Sequence, residues 1–315
     1  MTAGPSISLI VEAYNLHEGQ SLAALRRALD AAFGLARTTD GACEVLLVQP
    51  DVTADLDALV ARYAQLRRVL APGAGYDALK DAGAQAARGD VVVYLDGDCV
   101  PDGPDWLDRL TQPIRRGEAL ATCGTTLYEG GGIVAALSSV LDFGFVAEGT
   151  GGPVGCYTSN NVAFARALRV AVCPPTTPLR CACYAHAQTL ARRGQPVWHV
   201  PQALVWHEPP PFFKERLRRG HDLVGVCWTD PLLREARWLR RGVWAAPLFY
   251  ADALRHDWRR AWRARGVPAL HGWRRMVVMA LIPLARLVDA VGIVGALRAG
   301  PPVAVPQTPS STFLK

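Results

Sequence analysis

VVVYLDGDCVPDGPDWL, residues 91–107, is the stretch on which the fold turns. Its first five residues are apolar or aromatic, three of them Val, with no polar alternation. A run of that kind suits a strand buried on both faces, as in a parallel sheet covered by helices. The run stops on Asp96-Gly97-Asp98. Carboxylates at the carboxyl end of a buried strand stand where open α/β sheets bind their ligands. Their hard oxygens suit Mg²⁺ or Mn²⁺, and Gly97 between them admits a close backbone approach. By itself D-x-D is also the pattern of a solvated turn whose acids serve as caps.

Outward from this stretch, strand and helix signals alternate. Residues 7–11 (ISLIV), 43–48 (CEVLLV) and 67–70 (RRVL) read as strands. Between them, 21–33, 55–66 and 76–87 carry apolar residues at helical spacing, and 105–115 reads as a further helix. The β-α-β-α order predicts a parallel sheet covered on both faces. Residues just after Val11, Val48 and Leu95 are then the places to look for a site. Further on come strand-like pieces (ALATCGTTLY, NVAF), an apolar helix over 133–146 and a helix over 182–193. Two short strands, PVWHV and ALVWH, complete this part. The chain divides into a body over 1–210, a basic and apolar helical extension over 211–300, and a Pro-rich tail over 301–315 expected to be disordered.

Half of the 315 residues are hydrophobic and a fifth charged, which excludes a disordered chain and a disulfide-stapled miniprotein. Residues 212–275 hold fifteen Lys/Arg against six Asp/Glu, a net of +9 within a chain of +6, so the remainder is −3. An anionic membrane surface suits that segment; no helix-turn-helix, zinc-finger or RNP pattern supports nucleic acid. Cys181 and Cys183 form C-x-C without a second pair at zinc spacing, so free thiols are expected. The N-terminus has neither a basic region nor a long apolar run, and a cytoplasmic start is the expectation. Residues 276–297 are apolar and long enough to span a bilayer, but Arg286, Asp289 and Pro283 interrupt them. Lying on the inner membrane face, peripherally, fits better than spanning it; a helix packed on the body is the plain alternative.

Four segments in order resemble the family 2 glycosyltransferases. They are SLIVEAYN (8–15), GYDALKDAGAQAARGDVVVYLDGDCVP (75–101), TSNNVAFAR (158–166) and LARRGQPVWHVPQALVWHE (190–208). The resemblance implies a GT-A-like, Rossmann-type α/β fold: a mixed, mostly parallel sheet flanked by helices, with the C-terminal helices as an extension. It implies metal-dependent, inverting transfer of a sugar from a nucleotide-diphosphate donor to a hydroxyl acceptor, a glycan or a lipid-linked one. Carried over by position, Asp96 would contact ribose or metal, Asp98 would bind Mg²⁺ or Mn²⁺, and His207 would be the late metal ligand. Lys80 would stand near the nucleotide, Ala13 and Tyr14 near the base, and Asn160 and Asn161 in the sugar or acceptor pocket.

The match departs from the family at three points. Glu12 stands where the family has Pro, and Gln49-Pro50 where it has an acidic pair, so Asp51 or Glu12 would have to stand in at the base. The family's Glu-Asp, whose Asp is the general base, falls at Ala182-Cys183, and no Asp or Glu occurs from 150 to 207. His186, one turn beyond Cys183, has an ordinary pKa of ~6.5 suited to a base. It is the expected substitute, ahead of Glu208, Asp222 and Asp230. A degenerate family member that binds without turnover is the competing expectation. A nucleotidyltransferase would be expected to carry a Gly-rich basic phosphate loop, which EAYNLHEGQ (12–20) does not resemble.

Overall fold

The structure is a computed structural model and describes residues 6–18, 21–39, 41–145, 151–172, 182–264, 267 and 270–301. Cys181, the end of the apolar helix at Val146, and the tail from 302 onward lie outside the described residues. The strands are β1 (Ile7–Glu12), β2 (Cys43–Gln49), β3 (Arg67–Leu70), β4 (Val91–Asp96), β5 (Cys99–Pro101), β6 (Ala121–Tyr128), β7 (Gly152–Val154), β8 (Asn161–Ala165) and β9 (Val197–His207). The helices of the body are α1 (Leu22–Thr38), α2 (Ala54–Val60), α3 (Tyr76–Ala86), α4 (Trp106–Arg115), α5 (Ile133–Phe143), α6 (Arg166–Ala171) and α7 (Cys183–Arg192). Those of the extension are α8 (Phe212–Thr229), α9 (Ala246–Arg263) and α10 (Trp273–Ala299).

All six residues of β4 are buried, as its unbroken apolar run requires. It sits mid-sheet in the order β3-β2-β1-β4-β8-β6-β9-β5, with β7 on β9. β1, β2, β3 and β4 pair in parallel, as do β6 and β9, and most paired residues lie in these ladders. Two helices start on side-chain caps: Ser21 Oγ accepts from the Ala24 amide at the head of α1, and Thr53 Oγ1 from the Leu56 amide at the head of α2. α2 is shorter than its pattern suggests. Tyr63 leaves the helix to stack on Phe33 of α1 at 5.1 Å and to donate to Asp30.

The two short strands expected over 196–207 are one. β9 runs along β6 with a shift in register: Gly124 faces Val200 and Thr125 faces Leu204, so three residues bulge out around Pro201. Gly124 is required there, since a Cβ on it would lie 2.0 Å from the Ala203 carbonyl oxygen. The bulge leaves carbonyls without ladder partners, and Asn161 supplies them. Its amide donates to Thr125 O (2.8 Å) and Ala203 O (2.9 Å) and accepts from Trp106 Nε1 (3.2 Å).

The extension shares its core with the body. Leu127, Leu137, Val140 and Leu141 pack with Ala261, Val278, Ile282 and Ala285. A buried ionic chain runs through the same layer. Arg216 of α8 pairs with Asp142 of α5 and lies 3.7 Å from Asp289 of α10, which pairs with Arg286; Arg286 reaches Asp257 of α9 at 2.6 Å. Arg286 and Asp289, the two charges interrupting the apolar stretch, therefore face the protein. At the crossing of α8 and α10 the backbones nearly touch: a Cβ on Gly220 would fall 1.9 Å from Asp289 O.

Candidate active site

β4 delivers Asp96 and Asp98 to the carboxyl edge of the sheet, and β9 delivers His207 to the same edge through its pairing with Cys99. They line one cavity of about 440 Å³, floored by the sheet and walled by α5, the start of α7 and the start of α8. Gly97 lets the turn close, since a Cβ on it would stand 2.6 Å from Glu12 O.

Asp98 is almost wholly buried, and its Oδ2 lies 3.6 Å from His207 Nε2. His207 Nδ1 is 2.6 Å from Glu208 O. A carbonyl only accepts, so Nδ1 carries the proton and Nε2 turns its lone pair toward Asp98. Two acceptors facing one another at that distance suit a cation between them, and the Glu208 carbonyl behind the ring fixes the tautomer that a metal ligand needs. A carboxylate oxygen with an imidazole nitrogen is a donor set that can hold a divalent cation. Cys99 Sγ is close enough to join the group. Burial pushes its thiol well above the ordinary range, with Asp98 adding to the effect, so it stays protonated beside the site. Tyr128 edges onto His207 at 5.2 Å and Phe143 tilts against it, fixing the ring.

Asp96, expected at the ribose or the metal, is engaged by neighbouring side chains. It spends its Oδ1 on Lys80 Nζ (2.6 Å) and its Oδ2 on the Tyr76 hydroxyl (2.6 Å), and it is outside the cluster formed by Asp98, Cys99 and His207. Lys80 is equally unlike an exposed helix lysine. It is buried and also donates to Tyr76 OH and Ser159 O. One turn of α3 separates Tyr76 from Lys80, so both reach the same carboxylate.

The base-side candidates stand along the ends of β1 and β2. Glu12 is buried and accepts from the Tyr14 amide (2.7 Å), which makes it the brace of its own turn. Ala13 is buried beneath that turn; Tyr14 packs edge-on to Tyr76 at 6.1 Å and so joins this edge to the cavity. Asp51 is exposed, and its carbonyl accepts from Gln49 Nε2. Two buried amides stand here: Gln49, at the position where the family has its acidic pair, and Asn15, which motif reading did not single out. The Asn15 side chain and Gln49 Oε1 have no hydrogen-bond partner among the described residues, a cost that a ligand would relieve.

On the acceptor side the two asparagines divide. Asn160 lines the cavity and accepts from Thr126 Oγ1 at 3.0 Å, whereas Asn161 is fully buried in the β9 bulge and is not a pocket residue. Cys183 lines the cavity, at the position where a carboxylate was expected.

His186 is the larger correction. It is fully buried and does not line the cavity. Its Nδ1 is 2.7 Å from Tyr157 OH and its Nε2 2.8 Å from Val172 O, and the ring tilts against Phe164. Burial, with Arg169 adding to it, brings its pKa down to about 4. It is a neutral core histidine with both nitrogens engaged, and it cannot take an acceptor's proton. Asp222 pairs with Arg218 and Asp230 with Arg192, and neither lines the cavity.

The cavity adds residues that motif reading missed. Asp142 accepts from Tyr128 OH and from Arg216. Burial pushes its carboxyl up, but Arg216 and Arg219 outweigh it and hold the group below its ordinary range. Glu215 is likewise held down: Arg219 and Arg218, both bonded to it, outweigh its burial. Glu208 has the loosest pairing of the lining carboxylates, with a half-exposed Arg27 at 3.4 Å. An acid inside an otherwise apolar helix was the available signal for Asp142.

Residues 8–141 match the family described as Glycosyl transferase family 2. No curated protein matches the chain. Among solved structures it is similar to the mannosyltransferase PcManGT from Pyrobaculum calidifontis in complex with GDP-Man and Mn²⁺. Identity is 20%, over 92% of this chain and 88% of that one, with a TM-score of 0.60. It is also similar to glucosyl-3-phosphoglycerate synthase from Mycobacterium tuberculosis in complex with phosphoglyceric acid. Here identity is 21%, over 70% and 79%, with a TM-score of 0.51. Both likenesses show the fold expected from the four segments.

Proposed function

We propose, from the match of residues 8–141 to the family described as Glycosyl transferase family 2, that the chain moves a sugar from a nucleotide-diphosphate donor to a hydroxyl acceptor. The observation that carries this is the facing of Asp98 and His207 across 3.6 Å, with the histidine's tautomer fixed by Glu208 O. These two residues would hold a divalent cation, which when bound would supply neutralisation of charge on a diphosphate leaving group. The similar mannosyltransferase is described with GDP-Man and Mn²⁺, which supports the same class of donor and metal here.

The chain's own groups have distinct tasks. Lys80 and Tyr76 lock Asp96 at the edge between the base side and the cavity, where it meets the nucleotide. Asn15 and Gln49 offer the base polar groups that nothing described in the protein satisfies. Asn160 marks the wall on which the sugar and acceptor meet. Glu208 takes the proton of the acceptor hydroxyl, because the other lining carboxylates are committed to buried cations or to the metal pair. The acceptor oxygen attacks the anomeric carbon, the bond to the diphosphate oxygen breaks, and the diphosphate leaves with the electron pair. One displacement inverts the anomeric centre.

Calorimetry of a panel of nucleotide sugars tests the reading. Binding should be at least tenfold tighter with Mn²⁺ than with chelator, and Asp98→Asn should abolish that difference by removing a charge from the ion's ligand set. Metal-independent binding would overturn the site. Cys183 on the cavity wall favours a second reading, a family member that binds donor without turnover. Donor binding with no hydrolysis or transfer would select it.

A further inference from the structure

We propose that α9 and α10 form a docking face for an anionic lipid bilayer, with α10 lying along the headgroup plane. The inference is independent of the transfer reaction.

α10 has the length and hydropathy to cross a membrane, but most of it is not buried in the protein either. Its two internal charges turn inward, to Asp257 and Arg216. Outward it shows Trp273, Met276, Leu284, Leu287 and Val291, each more than half exposed. From Met276 to Val291 this stripe runs about 22 Å at 1.5 Å per residue, and no exposed charge interrupts it.

α9 extends the face. Trp258 and Trp262 are exposed, with Arg255 and Arg259 beside them at helical spacing. Neither arginine makes an ion pair among the described residues. The two helices are fastened together through Pro283, which has no amide proton to give Met279 O. Trp258 Nε1 donates to that carbonyl instead, at 3.0 Å. Arg275 donates to the Trp262 backbone carbonyl at 3.1 Å, so this end of α9 lies beside the N-terminal half of α10.

A span is excluded by this packing. Gly220 and Gly292 hold α8 and α10 backbone to backbone, so insertion would drag the charged α8 and α9 into hydrocarbon. A second copy of the chain fits poorly, because α10 exposes no acid to meet the arginines of α9. Tryptophan, unpaired arginine and an apolar stripe in one surface are what an interfacial helix uses: rings at the headgroups, cations on anionic lipid, aliphatic chains below.

The test is sedimentation of the full-length protein with vesicles of phosphatidylcholine alone or with phosphatidylglycerol added. Partition should need the anionic lipid and fall with salt. Arg255→Gln with Arg259→Gln should weaken it about thirtyfold, from about 1 kcal/mol per cation near the surface. Leu284→Gln with Leu287→Gln should weaken it tenfold or more. All four side chains are exposed, so melting temperature and donor binding should not move. Partition indifferent to anionic lipid, or unchanged in the leucine pair, would overturn the proposal. A wild type that ignores vesicles but is dimeric by light scattering, and becomes monomeric in the leucine pair, would reassign the face to self-association.

Discussion

Lys80→Met isolates the group that fastens the acidic strand end to its neighbours. Lys80 Nζ donates to Asp96 Oδ1 at 2.6 Å, to Tyr76 OH at 2.7 Å and to Ser159 O at 2.5 Å, and both charged side chains are 4% exposed. An exposed pair contributes at most about 1 kcal/mol. Removing one partner of a buried pair costs about 3–5 kcal/mol, because the other charge is left uncompensated. Methionine keeps the packing of the lysine stem, and Tyr76 still donates to Asp96 Oδ2. The loss should therefore sit near the low end, about 3 kcal/mol, and lower Tm by about 4–5 °C in a chain of 315 residues. Adding Asp96→Asn removes the stranded charge, so the double variant should melt above Lys80→Met alone, with a coupling of about 2 kcal/mol. Scanning calorimetry of the four proteins closes the cycle. A Tm within about 2 °C of wild type, together with a large loss of donor affinity, would refute the reasoning. Lys80 would then be a cation held for the diphosphate.

β4 was legible because an unbroken apolar run followed by acids has one comfortable place in an α/β sheet. His207 reaches the same cavity as Asp98 because it ends a strand, where position along the chain fixes position in space. Failures came where a residue's direction depends on partners distant in sequence. His186 lies three residues past Cys183, an offset of about 60° round the helix. That turn is enough to put Cys183 on the cavity wall and His186 between Tyr157 and Phe164. Asn160 and Asn161 are adjacent in one motif, yet Asn160 lies in the turn before β8 and Asn161 is the first residue of the strand. One meets the cavity and the other the β9 bulge, and that bulge is visible only once β6 and β9 are aligned. Arg286 and Asp289 counted, as composition, only against a membrane span. Placed on the inner face of α10, they leave its outer face apolar.

Glu208→Gln should lower kcat by about 10²–10⁴ with donor Kd unchanged, the usual range for loss of a general base; unchanged turnover would remove Glu208 from the mechanism. Cys183→Asp puts a carboxylate on the same cavity wall, and a rise in turnover, or rescue of Glu208→Gln, is the expected outcome in a transfer assay. The last prediction separates a core histidine from a catalytic one. In the folded protein the His186 imidazole is brought down to about 4 by burial, against an unfolded value of ~6.5. As pH falls below ~6.5 the unfolded chain takes up a proton that the folded chain refuses, so the stability this group contributes is lost progressively toward pH 4, by up to about 3 kcal/mol. His186→Phe cannot lose it. The gap in urea stability between wild type and variant should therefore narrow steadily from about pH 7 to about pH 4. Asp77, raised to about 7 chiefly by burial, titrates in the opposite sense, but it is present in both proteins and cancels in the difference. A gap independent of pH, with turnover lost in His186→Phe and stability intact, would return His186 to the reaction.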